Sequence, residues 1–389
     1  MRPNRPFGIT IPDTHSKGTC RSNARGTRLS SGAADERKIE MKRRDFLSGA
    51  AAAAAVATSG FAFSTPAYRR KSGSPALSHK DRVDRALLGQ DVDRPPFTFY
   101  RHYGRPTAQL EAQDHLEFHR AYKTDIVKVM NDFDYPKSTT GKWYELKPLD
   151  SPYPNQLETL RRVRDGLSGG AYFIDTLYGP YMTAMILYES QPQFANLPKS
   201  DEAEDAQIKS LHGFQRQNPD AWHSAMDAIT QSTINHIRHA KEIGASGALV
   251  SVFNAESKFG SVEDYKKYTR PYDKRVFDAL ADTKLTVLHL HFLERPYLAQ
   301  FTDFQAPILQ YSVKVSGIPI SEVRRKYSQP ILGGVDEIDF RKLTTEEMHS
   351  QWTQARSQAG PKYIAAPGCS IPSDSTAEEL SRFPNSLGI

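Results

Sequence analysis

The sequence predicts an α/β protein, and within that class a (β/α)8 TIM barrel. Three observations carry the prediction. Eight short apolar runs alternate with amphipathic stretches over roughly 300 residues, the order and size of an eight-stranded barrel. The runs are rich in β-branched residues and mostly apolar on both faces, as strands of a buried parallel sheet are. The first run is not followed by the Gly-rich turn that a doubly wound open sheet, the nearest alternative, normally carries.

In chain order, the first strand is expected at 97–101 (FTFYR) and the second at 126–131 (IVKVMN), with a helix near 111–123 between them. A helix near 155–166 leads to the third strand, 171–176 (AYFIDT), and another near 180–190 leaves it. Residues 191–219, polar and rich in Gln and Asp, read as an excursion before the fourth unit. The helix over 220–242 is the clearest. Trp222, Met226, Ile229, Thr233, Ile237 and Ala240 share one face at 3.6-residue spacing, and Gly244 stops it. The fourth strand follows at 248–253 (ALVSVF), then a helix over 262–280 and the fifth strand at 285–291 (LTVLHLH). Strands six to eight fall at 308–313 (ILQYSV), 331–335 (ILGGV) and 362–366 (KYIAA), separated by helices near 319–327 and 344–358.

The formal charge of +6 and the sequence pI near 9.0 suggest a basic protein, but the excess is confined to the start of the chain. Residues 1–44 carry a net +7, residues 45–80 a further +3, and residues 81–389 a net −4. A mildly acidic body argues against nucleic acid as a partner. Residues 41–67, MKRRDFLSGAAAAAAVATSGFAFSTPA, are laid out as an export signal: a charged start, a mildly apolar run, then small residues. Arg43 and Arg44 match the twin-arginine type. Met41 then reads as the native start, with 1–40 a non-native or disordered extension, 68–80 a linker and 81–389 the barrel. The expected location is the periplasm. No membrane anchor is expected after signal removal, since no run reaches the roughly 18 apolar residues of a spanning helix. Of the two cysteines, Cys20 falls in the extension, which leaves Cys369 as the one thiol of the body and no disulfide framework.

In a barrel the reactive groups stand at the carboxyl ends of the strands. The strand list therefore nominates Arg101 and Arg105, Asp132 with Asp134, Asp175 and Tyr178, Asn254 and Glu256, His289 and His291, Asp336 and Glu337, and Cys369. His289 and His291, two apart on a strand, face the same side. Each of these residues also has a structural use: a strand-end hydrogen bond for the histidines, an inert buried thiol for Cys369, ion pairs for the arginines and Asp132.

Several of the same residues carry a resemblance. DRVDRALLGQDVDRPPFTFYRHYGR (81–105), with Arg101 and a Gly-Arg at 104–105, resembles the arginine motif of the uroporphyrinogen decarboxylase superfamily, which also contains zinc methyltransferases that work with corrinoids. DIVKVMND (125–132) places Asp132 where that family has its key aspartate, and ILGGVDE (331–337) and GCSIPSDSTAEEL (368–380) resemble its seventh-strand and final loops. The resemblance spans about 80–389 and implies a barrel independently of the strand count. It departs at three places. Cys369 stands where the decarboxylases have a histidine, Ile186 falls near their active-site tyrosine, and SVFNAES (251–257) lacks their Asp-Ser pair.

The leading expectation from this resemblance is a decarboxylase-type lyase acting on a tetrapyrrole or other polycarboxylate. Arg101 and Arg105 would clamp carboxylates, since guanidinium binds them bidentately. Tyr178 would be a secondary substrate contact. Asp132, catalytic through electrostatics, is expected to have a depressed pKa from the nearby arginines. The alternative is a zinc-dependent methyltransferase. That branch has a His-x-Cys pair after the fifth strand and a final-loop cysteine on zinc; here His289, His291 and Cys369 stand at those places and leave an open position. Zinc is thus the one cofactor envisaged. A third reading is an exported, non-catalytic binding barrel. The partners envisaged are a small anionic substrate, a second copy of the chain in a homodimer and, under the methyltransferase reading alone, a corrinoid protein.

Overall fold

Seven parallel strands run in sequential order: β1 (Ile126–Lys128), β2 (Tyr172–Tyr178), β3 (Ala248–Val252), β4 (Val287–Leu290), β5 (Ile308–Tyr311), β6 (Ile331–Val335) and β7 (Tyr363–Pro367). The structure, a computed structural model, describes residues 76–194, 201–291, 293–304 and 308–389. The stretches read as an extension (1–40), an export signal (41–67) and a linker, up to residue 75, lie outside the described residues.

The eighth position belongs to the first expected strand, which forms only an isolated parallel bridge, Phe97 to Ala365 of β7. On that side Thr98 N–H donates to Ala365 O at 3.1 Å, and Ala365 N–H donates to Pro96 O at 2.8 Å. On the other side Asp125 N–H donates to Phe97 O at 2.9 Å. The segment thus joins β7 to the approach of β1 and closes the ring. Its ladder is short because Pro95 and Pro96, just before it, have no N–H to donate.

Strand alternation sorts the core into layers. Ile126, Ile174, Leu249, Val287, Ile308, Leu332 and Ile364 come from successive strands and pack together with Tyr100 and Met130 inside the ring. Their neighbours Val127 and Phe173, and Val250, Leu288, Leu309, Ile331 and Ala365, turn outward onto the helices. The barrel interior is therefore packed at its base, and polar side chains appear only above it.

The helices are α1 (His79–Leu88), α2 (Ala108–Tyr122), α3 (Pro154–Leu167), α4 (Pro180–Glu189), α5 (Asp201–Gln217), α6 (Pro219–Ile243), α7 (Val262–Tyr268), α8 (Arg270–Ala279), α9 (Val313–Ser316), α10 (Ile320–Arg324), α11 (Thr345–Ala359) and α12 (Ala377–Ser386). Five differ from expectation. α9 takes over the end of the run read as the sixth strand, with Ser312 capping Val315 N–H and Gly317 ending it. α1 begins inside the stretch read as a linker, with Ser78 capping Asp81 N–H and Gly89 ending it. α5 replaces much of the polar excursion at 191–219. It buries Ile208, Leu211 and Gln215, one stripe at helical spacing. The helix read over 262–280 breaks at Thr269, because Pro271 has no N–H for the preceding turn. α12 follows the final loop, started by a Thr376/Glu379 capping box.

Candidate metal centre

β4 supplies two of the donors. Leu288 and Leu290 pack outward, so His289 turns into the barrel, level with Ser251 of β3 and Gln310 of β5. His291 prolongs that face: its N–H donates to Val252 O at 2.9 Å, one residue past the strand. The third donor arrives from the turn after β7. A Cβ on Gly368 would stand 2.5 Å from Glu337 Oε2 and 2.7 Å from Ser312 Cα, so glycine alone lets the chain pass there. Gly368 N–H is held by Val335 O and Glu337 Oε2, each at 3.1 Å.

The next side chain, Cys369, lies with Sγ 3.5 Å from His289 Nε2 and 3.5 Å from His291 Nδ1, and those two nitrogens are 3.2 Å apart. A tetrahedral zinc ion with Zn–N of about 2.05 Å and Zn–S of about 2.3 Å spaces its ligands at about 3.3 Å (N···N) and about 3.6 Å (N···S). The triangle has those spacings. All three residues are buried, and they are the one such group of potential metal ligands found among the described residues.

The electrostatics favour the same use. Burial, reinforced by His291 and Lys128, holds His289 well below the ordinary imidazole range. Burial, with His102 and Lys128, brings His291 down to about 3. Both rings are therefore neutral at physiological pH, the form that ligates. Burial first, and Glu337 second, push the Cys369 thiol up to about 12. Without a cation this is an inert thiol; a cation in the triangle would take the place of its proton.

The arginine pair is not brought together. Arg105 is half-exposed and its Nε donates to Asp114 Oδ2 at 2.5 Å, a surface ion pair. Arg101 Nη1 donates to Ser373 O and Ser375 O, both at 3.2 Å, and its guanidinium lies 5.4 Å from the Tyr103 ring centre. Arg101 thus braces the loop that delivers Cys369. Tyr178, at the end of β2, donates its hydroxyl to Asn131 O at 3.1 Å.

Asp132 is fully engaged, though not by arginine. Its Oδ1 meets His102 Nδ1 at 2.5 Å, and its Oδ2 accepts from Tyr103 N–H and Gly104 N–H, both at 2.8 Å. Burial works to raise its pKa, but the His102 bond and the two backbone N–H groups outweigh it and leave it below the usual carboxylate range. The expected direction is met, by a different cause.

Two residues of this site escaped the sequence reading. His102 sat unremarked between Arg101 and Arg105. Lys128, in the middle of an apolar strand, is buried inside the barrel with Nζ 3.7 Å from the Tyr100 ring centre and a hydrogen bond to Met130 Sδ. Burial pulls it down to about 7, against the attraction of Cys369 and Asp132. For His102 a signal existed, its place two residues after the inward-facing Tyr100. Lys128 carried the same signal, since it stands between the apolar Ile126 and Met130 on one face of its strand.

Residues 128–387 match the family model described as uroporphyrinogen decarboxylase (URO-D). Among curated proteins, uroporphyrinogen decarboxylase of Carboxydothermus hydrogenoformans is 30% identical over 140 residues, which is 36% of this chain and 35% of that one. The enzyme of the same name from Syntrophotalea carbinolica is 28% identical over 243 residues, 52% of this chain and 67% of the relative. Against the first of these, the chain spans about a third of the relative's length. Among solved structures, a methyltransferase from Methanosarcina mazei superposes with a TM-score of 0.62 at 15% identity, covering 80% of this chain and 98% of the other. That likeness establishes the barrel fold.

Proposed function

The chain belongs to the uroporphyrinogen decarboxylase family, and we propose that within it this protein is a zinc-dependent enzyme of the methyltransferase kind. The observation that carries this reading is the triangle of His289, His291 and Cys369. Bound there, zinc supplies Lewis acidity to a nucleophile, a thiol under this reading, at the position the three donors leave open. The chain's own residues do the rest. His289 and His291 stay neutral, the form in which an imidazole ligates. Gly368 and Arg101 fix the path of the loop that carries Cys369. Lys128, when protonated, attracts the Cys369 thiolate and favours an anionic nucleophile. The fold shared with the Methanosarcina methyltransferase supports the same assignment, with a corrinoid protein as the proposed partner.

The test is elemental analysis of chain purified without chelator, beside His289→Ala/His291→Ala and Cys369→Ser. About one zinc per chain, lost in the variants, is the expected result. A metal-free wild type sinks the reading.

A second reading is favoured by the family model and by the curated relatives: a decarboxylase-type lyase on an anionic polycarboxylate. It requires no metal, so carbon dioxide release that survives chelation and disappears in Arg101→Ala would bring it forward. Export of the folded body through the signal at 41–67 is proposed with either activity.

A further inference from the structure

Asp132 was read from sequence as a group that meets the substrate. Both of its oxygens are taken inside the protein, and its side chain has no exposed surface. What it presents outward is His102. An ionised carboxylate only accepts hydrogen bonds, so the ring atom facing it, Nδ1, carries the proton. In the neutral ring Nε2 is then the nitrogen left without a proton. The imidazole is 32% exposed, whereas the three donors are buried.

Position points the same way. Tyr100 faces the barrel interior, where its hydroxyl donates to Gln310 Oε1 at 3.0 Å. Its carbonyl accepts from Ile371 N–H at 3.0 Å while Arg101 Nη1 donates to Ser373 O at 3.2 Å, so the segment that carries His102 is bonded to the loop that carries Cys369. Asp132, from the end of β1, is hydrogen-bonded to His102, and His291, from the end of β4, interacts with it through charge alone. His291 is near enough that a charge on either imidazole opposes a charge on the other. Lys128, deeper in β1, acts on both Asp132 and His291.

We propose that His102, oriented by Asp132, is the acid–base residue of this site. Its Nε2 takes the proton that a thiol gives up on entering the position left open by His289, His291 and Cys369. The proposal rests on the zinc reading above. In the step the S–H bond breaks, sulfur keeps the electron pair, and the proton passes to Nε2. The imidazolium so formed lies against the Asp132 carboxylate, which stabilises it. No oxidant or reductant is involved. Asp132 is a positioning residue here, because it acts through His102.

Proton counting tests this without an activity assay. The zinc-loaded full chain is titrated with 2-mercaptoethanol by calorimetry in two buffers of different ionisation heat, at about pH 7.5, just above the ordinary imidazole range. His102→Asn should release about one proton per thiol bound, and the wild type at least about half a proton fewer. Asp132→Asn should move the wild-type count toward that of His102→Asn. Equal counts in wild type and His102→Asn overturn the proposal, as does a zinc-loaded wild type that takes up no thiol. If His102→Asn loses zinc, His102→Gln makes the same comparison; loss of zinc from both makes His102 a structural prop and overturns the proposal too. A wild type that holds no zinc fails at the earlier reading, and this one falls with it.

Discussion

Lys128 shows what a single side chain does to this barrel. It is buried inside the ring against Tyr100 and Met130, and no salt bridge reaches it among the described residues. Burial lowers its pKa from an ordinary 10.5 to about 7. Between those values the unfolded chain binds the proton and the folded chain does not, so stability rises with pH across that window. Each pH unit inside the window is worth about 1.4 kcal/mol, or about 2 to 3 kcal/mol between pH 7 and 9. Lys128→Met, similar in length and free of charge, should remove this slope and stabilise the metal-free chain at pH 7. Urea midpoints of both proteins at pH 7 and pH 9 measure it; parallel shifts in the two proteins would refute the assignment. The sequence reading passed over this residue, because one lysine in IVKVMN reads as a solvent-facing position even though it shares a face with Ile126 and Met130. His289, His291 and Cys369 were legible because strand spacing and the final loop, read with the family resemblance, put them on one rim. Arg105 was not, because its orientation depends on Asp114 in α2, a pairing no motif announces.

At the scale of elements, buried strands were the readable part. The seven strands begin within two residues of their expected starts, since two-faced apolar runs bounded by polar loops leave little choice of register. Helices were read well where their stripe was apolar and poorly where polar residues dilute it, as in α5. The α7–α8 junction was read as one continuous helix, and there chemistry and geometry meet. Asp273, on α8, is buried, and Tyr265 of α7 donates its hydroxyl to Asp273 Oδ2 at 3.0 Å. Burial raises the carboxyl from 3.8 to about 7. Here the folded state binds the proton more tightly, so stability is fully present below the ordinary carboxylate range and falls as pH rises toward 7. Asp273→Asn keeps an acceptor for Tyr265 without a charge. It should therefore stabilise the protein by about 2 to 4 kcal/mol at pH 8 and by little at pH 4. Thermal melts of both proteins at the two pH values decide it: a variant no more stable than wild type at pH 8 means that the carboxylate is already well solvated or paired.

For the whole molecule, the question is what keeps the ring shut where regular pairing is thinnest. The 97–100 segment supplies few ladder bonds, and the seam is closed by a side chain instead. Asp125, just ahead of β1, has a fully buried carboxylate. Its Oδ1 meets His79 Nδ1 at 2.8 Å and Arg82 Nη1 at 2.6 Å, and its Oδ2 meets Arg94 Nη1 at 2.5 Å and Phe97 N–H at 3.0 Å. One residue thus ties α1, the approach to the first strand and β1 into a single unit. The eight-fold plan was legible in the periodicity of the chain; this hub was not, because its partners are scattered between residues 79 and 97, well before Asp125, and no local pattern joins them. Burial opposes the charge on Asp125, but the His79 bond and the Arg94 and Arg82 charges prevail and hold its pKa down. Its contribution is therefore present above the ordinary carboxylate range and is lost as pH falls through and below it. Asp125→Ala leaves Arg82 and Arg94 buried without this partner and should cost about 3 to 5 kcal/mol at pH 7. The difference from wild type should narrow in acid, where Asp125 itself becomes protonated. Urea unfolding at pH 7 and at about pH 3 measures both values. A loss near zero at neutral pH would mean that the backbone bridges at Phe97 and Thr98 close the barrel unaided.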